Sequence, residues 1–237
     1  MDGEILKALF AHGEQELPRE SCGLIAIIKG RERYFPCRNL SIDDDQFILD
    51  PQDYAKVELL GEITAVCHSH PVTAAIASEA DKIGCEHSGL PWYITNPCTK
   101  QWTMIEPCGY KAPLIGRQWT WAIMDCWTLV RDWYAEQGIE LPDWERPITY
   151  SEFESHPFFD DCWKDAGFFQ AEKEAIQYGD AVIMALGSKK INHVGVYVGD
   201  QMVLHHVRGR LSSRDCYGEW LQKTTARVLR HRDWKKL

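Results

Sequence analysis

The stretch HSHPVTAAIASEAD, residues 68 to 81, sets two histidines around one serine and places an aspartate eleven residues after the second. The preceding ITAVC is β-branched and alternating, so it predicts a strand running into the pair. Side chains alternate along a strand, which puts His68 and His70 on one face. Two imidazoles so placed reach a single ion at about 2.0–2.1 Å, the distance zinc prefers. Asp81, in the first turn of a following helix, folds back as a third ligand. Three ligands leave a position for water, the feature that separates a catalytic zinc from a structural one. Ser78-x-x-Asp81 is also the pattern of a capping box, and the two roles are compatible.

A second group of residues carries thiol chemistry. Cys126 opens a tryptophan-rich helix, DCWTLVRDWYAEQG, where the helix dipole and free backbone N–H groups favour a thiolate. A nucleophilic cysteine needs a base within reach and a group to orient that base. His193, His205 and His206 are the candidates downstream. His193 opens HVGVYVGD with Gly195 and Tyr197 on its own face, while Val194, Val196 and Val198 point the other way into a core. That alternation predicts an exposed imidazole. The competing reading makes Cys126 a buried helix cysteine.

The elements that must position these residues are mixed α and β. EILKALFAHGEQ has helical spacing and is expected to break at Gly13; CGLIAIIKGRERYFPC is strand, turn at Lys29-Gly30, strand. DPQDYAKVELLGE opens with Asp-Pro and stops at Gly61, a short helix follows Ser78 and ends near Gly89, and PWYIT and QWTMIE read as two short strands. PCGYKAPLIG, residues 107 to 116, concentrates Pro and Gly and marks a domain boundary. Beyond it DCWTLVRDWYAEQG runs from a cap at Asp125 to Gly138 with Trp127, Val130, Trp133 and Tyr134 as its apolar stripe. DAVIMAL, NHVGVYVGD and QMVLHHV complete the set as strands.

The 237 residues suffice for one large domain or two ordinary ones, and 45% hydrophobic with 26% charged residues predicts a true core. The net charge of −9 is uneven. Residues 1–112 carry ten Lys and Arg against seventeen Asp and Glu; residues 203–237 carry nine against three. An acidic body argues against a nucleic-acid partner, and the basic tail reads as a solvated helix or strand face. Nine scattered cysteines without a CxxC suggest reduced thiols. No secretory signal and no membrane-spanning segment is visible, LIAII being the longest aliphatic run, so synthesis and folding in the cytosol are expected.

With the upstream strand ESCGLI, the pattern H-x-H-P-x6-S-x-x-D over the first 110 residues resembles the JAMM/MPN metallopeptidases. The resemblance implies one zinc ion held by His68, His70 and Asp81, Glu20 as the base that deprotonates a water, and Ser78 as stabiliser of the oxyanion. From the residues alone, Glu14 and Glu16 are rivals to Glu20.

Residues 118–237 resemble the NlpC/p60 cysteine peptidases, papain-like α+β domains that cleave peptides of bacterial cell walls. DCWTLVRDWY, YGDAVIMAL and NHVGVYVGDQMVLHH carry that likeness. It implies Cys126 as nucleophile, His193 as general base and His205 as the residue that holds its ring. The register decides between the last two histidines. A two-residue Gly199-Asp200 turn sets His206 opposite His193, whereas a three-residue loop through Gln201 pairs Val198 with Met202 and returns His205. The family's loop usually has a glycine where Gln201 stands, and a glycine is common where Ala122 stands.

The expected fold class is therefore α+β in two domains: a mixed sheet with flanking helices over 1–110 and a papain-like domain over 118–237. The two together resemble the bacteriophage tail-tip assembly family of the lambda K type. That implies a hydrolase of the virion tail tip, assembled in the host cytoplasm and acting at the wall, with peptidoglycan stem peptides and other tail-tip proteins as partners. The alternatives are a structural assembly factor with vestigial sites, or a cellular JAMM isopeptidase.

Overall fold

Lys29 and Gly30 both adopt positive φ, 50° and 76°, the pairing a two-residue hairpin turn requires. They join β1 (Cys22–Ile28) to β2 (Arg31–Cys37), with Cys22 opposite Cys37 and Ile28 opposite Arg31. The computed structural model describes residues 2–144, 146, 147, 149–155, 159 and 162–234. It divides into two compact units, Met1–Lys111 and Ala112–Leu237.

In the first unit α1 (Gly3–Glu16) precedes the hairpin, followed by α2 (Pro51–Leu60), β3 (Glu62–Ser69), α3 (Glu79–Ser88), β4 (Trp92–Asn96) and β5 (Gln101–Ile105). The five strands lie in the order β2-β1-β3-β4-β5, and only β3 and β4 run parallel, with α3 as their connection. Asp50 and Ser78 cap α2 and α3 by accepting from Gln52 N and Asp81 N. β3 alternates as its pattern requires. Ala65 and Cys67 pack beneath Ile5 and Leu9 of α1, whereas Val66 and His68 face the side of α2, α3 and Trp92. The helix α1 does not break at Gly13. It continues to Glu16, and a side chain at Gly13 would meet Pro97 at 3.1 Å, so the glycine serves close packing rather than a break.

The second unit holds α4 (Cys126–Glu136), short helices α5 (Tyr150–Ser155) and α6 (Cys162–Asp165), β6 (Phe168–Ala171), β7 (Ala181–Met184), β8 (His193–Tyr197), β9 (Met202–His205), β10 (Ser213–Cys216), α7 (Glu219–Thr224) and β11 (Thr225–His231). Its antiparallel sheet runs β10-β9-β8-β7-β11-β6. Trp127, Leu129, Val130, Trp133 and Tyr134 of α4 pack on Val194, Val196 and Leu204 of that sheet. Burying each such side chain stabilises the unit by roughly 1.5–3 kcal/mol. The basic side chains of the C-terminal stretch Arg208, Arg210, Arg214, Lys223 and Arg232 are exposed, while β11 lies inside the sheet with Val228 and Leu229 buried and Arg230 paired with the buried Asp180 at 2.8 Å. Among the described residues no helix is long and apolar enough to cross a membrane.

Candidate metal centre and thiol site

In the first unit, His68 at the end of β3 and His70 just beyond it turn Nε2 towards Asp81, carried by the first turn of α3. Nε2 of His68 stands 3.0 Å from Nε2 of His70 and 3.1 Å from Asp81 Oδ1, and His70 Nε2 stands 3.4 Å from Asp81 Oδ2. Ligands about 2.0–2.1 Å from a tetrahedral centre lie about 3.3 Å from one another, and these separations are of that size, with the two imidazoles each next to a different Asp81 oxygen. The tautomer agrees. Nδ1 of His70 donates to the Ala74 carbonyl at 3.1 Å, leaving the Nε2 lone pair for an ion. His68 departs from the usual second layer, because its buried Nδ1 has no partner among the described residues. Its ring is held by stacking on Phe47, centroids 4.7 Å apart, and by the edge of Trp92.

Asp81 serves the helix as well as the cluster. Its Oδ2 accepts from the Ser78 backbone N–H at 2.7 Å and its own N–H donates to Ser78 Oγ at 3.1 Å, a complete capping box. Burial opposes its charge, but the His68 and His70 contacts and the Ser78 hydrogen bond win and hold its carboxyl below the usual range. Glu20, just before β1, brings Oε1 to 3.8 Å from His70 Nε2. Burial dominates there and pushes its carboxyl up to about 7. The rivals lie elsewhere: Glu14 pairs with Lys100 and Glu16 with His12. The buried thiols of Cys22 and Cys85 turn to backbone carbonyls.

In the second unit Asp125 caps α4, accepting from Thr128 N at 2.9 Å while Thr128 Oγ1 accepts from Asp125 N at 2.8 Å. This box fixes the helix start and with it Cys126. The thiol lies against β8, in one buried cluster with Val194. Burial, then the Asp125 charge, push the thiol up to about 12. The Val194 N–H and the Arg146 guanidinium act in the other direction without prevailing. The expected thiolate is therefore corrected to a neutral thiol at rest: loss of solvation outweighs the helix terminus.

His193 is likewise buried, at 5% exposure, against the expectation of an open imidazole. The face it shares with Tyr197 carries its own apolar cluster, Val182, Met184, Val203, Tyr217 and Leu221, which alternation along β8 alone does not reveal. Burial first, then the neighbouring histidines, hold His193 well below the usual imidazole range.

Gly199, Asp200 and Gln201 all take positive φ, and Val198 N donates to Met202 O at 2.9 Å, so the loop has three residues and Gln201 occupies the left-handed position. His205 thereby stands opposite Gly195, and its Nδ1 lies 3.1 Å from His193 Nε2. His206 faces away, fully buried, with the carbonyls of Arg117 and Arg210 near it but neither ring nitrogen in hydrogen-bond geometry.

A further residue joins the cluster. Asp215 Oδ2 on β10 stands 3.2 Å from His205 Nε2, close but off the ring N–H direction, and is itself held by Ser213 Oγ at 2.9 Å and Arg210 Nη1 at 3.2 Å. Burial opposes the Asp215 charge; the Ser213 hydrogen bond and His205 outweigh it and lower its carboxyl.

Comparison with known proteins places both units. A family model for prokaryotic homologs of the JAB domain matches residues 3–106, and the NlpC/P60 family model matches residues 116–230. The tail tip assembly protein K of Escherichia phage N15 is 39% identical, over 98% of this chain and 96% of that protein. The chain belongs to the tail tip assembly protein K family. The family's protein from Escherichia phage lambda is 34% identical over 79% of this chain and 91% of its own length.

In this family member the structure brings together His68, His70 and Asp81 with Glu20 beside them, and separately His193 and His205; Phe47, Arg146 and Asp215, which touch these groups or the cap of α4, carry no signal in the sequence. Phe47 and Arg146 sit in loops without periodicity. Asp215 belongs to a four-residue polar edge strand that no alternation announces.

Two consequences follow from burial in the second unit. Iodoacetamide labelling of Cys126, followed by mass spectrometry of its peptide, is expected to accelerate roughly tenfold per pH unit up to about pH 10; a plateau below about pH 8 contradicts this. Burial also pushes His206 down to about 4. Below the ordinary value of 6.5 the unfolded chain binds a proton that the folded chain refuses. This contribution to stability is present above that value and is lost as pH falls to about 4, by on the order of 3 kcal/mol. Thermal melts at about pH 7 and pH 4.5 should show a larger loss for wild type than for His206→Leu; equal losses contradict it.

Proposed function

We propose that the protein is a phage tail-tip assembly factor whose second unit cleaves peptidoglycan stem peptides with the Cys126 thiol. The observation that carries this reading is the row His193, His205, Asp215 across β8, β9 and β10, on the sheet against which α4, the helix that Cys126 opens, is packed. The protonation pattern is self-consistent. Asp215 favours the proton on His205 Nε2, so His205 Nδ1 accepts from His193 Nε2–H. His193 Nδ1 then carries the lone pair that receives the thiol proton as sulfur attacks the scissile carbonyl. The resulting imidazolium protonates the leaving amine. In the second half, His193 takes a proton from water, which displaces the thioester and restores the thiol. Asp215 and His205 stabilise the transient charge that burial otherwise resists.

For the first unit we propose a separate zinc-dependent peptide or isopeptide hydrolysis. His68, His70 and Asp81 would hold the ion, which when bound supplies Lewis acidity and an acidified water. Glu20 Oε1, 3.8 Å from His70 Nε2, would take up a proton at this site and return it to the leaving amine. The Ser78 hydroxyl, whose oxygen already accepts from Asp81 N, keeps its hydrogen to donate to a developing oxyanion.

A tail-tip structural role without turnover is the second reading, favoured by the sealed, neutral thiol. Digestion of purified peptidoglycan separates the two. The peptidase reading expects new amino ends and no new reducing sugar ends; intact material after prolonged incubation with reduced protein supports the structural role.

Gly195 offers a sharper probe of the thiol site. A Cβ there would stand 2.7 Å from Val203 and 2.9 Å from the His205 side chain. Gly195→Ala is expected to shift His205 off His193 and to lower kcat about 100-fold in a chain that still folds. An unchanged kcat would deny His205 its role.

A further inference from the structure

We infer that Arg208 forms an anion subsite beside the thiol and selects peptides that bear a free carboxylate near the bond to be cut; the inference rests on the peptidase reading of the second unit. Arg208 is exposed, and its guanidinium lies over two rings, 4.7 Å from the Tyr150 centroid and 5.6 Å from that of Trp119. Trp121 completes the aromatic cluster: it stacks with Trp119 at 6.2 Å, stands edge-on to Tyr150 at 5.3 Å, and donates from Nε1 to the Pro147 carbonyl at 3.1 Å. Such an aromatic cluster holds the guanidinium by cation–π contact while leaving its N–H groups for another partner.

Charge bookkeeping around the site shows which partner is missing. Arg117 pairs with Asp132, Arg146 with Asp125 and Asp143, and Arg210 with Asp215. Among the described residues Arg208 faces no carboxylate. A planar cation with a free fork of donors matches a carboxylate in two parallel hydrogen bonds.

Its position ties the subsite to the reaction. Arg208 follows His205 by three residues, a reach of at most about 11 Å. Trp119 and Trp121 flank Thr120, which bridges to Met124 through N–H to carbonyl bonds of 3.1 and 2.8 Å, and Met124 stands two residues before Cys126. The two tryptophans thus belong to the segment that leads to Cys126, and the guanidinium to the segment that follows the strand of His205.

The test uses a synthetic stem peptide with free carboxylates and its fully amidated twin. Titrated into full-length Cys126→Ala protein, the carboxylate peptide is expected to bind about tenfold or more tightly than the amide. Cys126→Ala/Arg208→Gln should lose that preference, and Cys126→Ala/Arg208→Lys should recover only part of it, since an ammonium lacks the fork. Equal binding of the two peptides, or an undiminished preference in the Arg208→Gln protein, overturns the subsite. Turnover by the Cys126 protein is a separate readout. Selective binding without any cleavage ends the peptidase reading and leaves the subsite standing; cleavage of both peptides at equal kcat/KM ends the subsite and leaves the peptidase reading standing.

Discussion

Replacing Cys126 by alanine is expected to abolish stem-peptide cleavage, a fall in kcat of about 10⁴-fold or more. The size follows from the order of events. The neutral thiol must lose its proton to His193 in the same step that forms the carbon–sulfur bond, and alanine offers neither proton nor nucleophile. His193→Ala is expected to cost nearly as much, and the double variant little more than either, because the two groups act as one unit. Kinetic assay of released amino ends checks all three. Folding should be spared: the substitution removes one sulfur at the edge of a core that Trp127, Leu129, Val130, Trp133 and Tyr134 hold together. A variant that folds and still cleaves would remove the thiol from the mechanism.

The second large effect concerns the first unit. Wild type purified with zinc is expected to retain about one ion per chain after dialysis, and His70→Ala less than about a tenth of that. In the proposed site His70 would supply one of three protein ligands, and its ring is aimed in advance by the Ala74 carbonyl. Its loss also leaves Asp81 Oδ2 with the Ser78 N–H alone, so the carboxylate turns from ligand to cap. Elemental analysis measures the ion. Added zinc should raise the melting temperature of the first unit in wild type and not in the variant, since an ion that binds only the folded form stabilises it. Equal zinc in both proteins would show that the triad is not the site.

Much of the scaffold was legible because local chemistry dictated it. Lys29-Gly30 demanded a hairpin, Asp50, Ser78 and Asp125 announced helix starts, and alternation along β3 put His68 and His70 on one face. The features that stayed hidden depend on residues remote in sequence. Gly13 reads as a helix breaker until Pro97 is known to press against it. His193 reads as exposed until Tyr217 and Leu221 cover its face of the sheet. The thiolate expected at Cys126 rested on the helix terminus, a local effect, and burial by the sheet outweighs it. The basic tail offered no sign that β11 would lie between β7 and β6. The three-residue loop was within reach of sequence reasoning, but its choice required Gln201 to accept a left-handed backbone.

The claim at the centre is that each unit carries its own attacking group, and that only the thiol acts on the cell wall. Peptidoglycan digestion by wild type, Cys126→Ala and His70→Ala, run side by side at equal folded concentration, measures it directly. Cleavage by wild type and His70→Ala with none by Cys126→Ala is the predicted result. Cleavage that survives in Cys126→Ala, or disappears in His70→Ala, contradicts it.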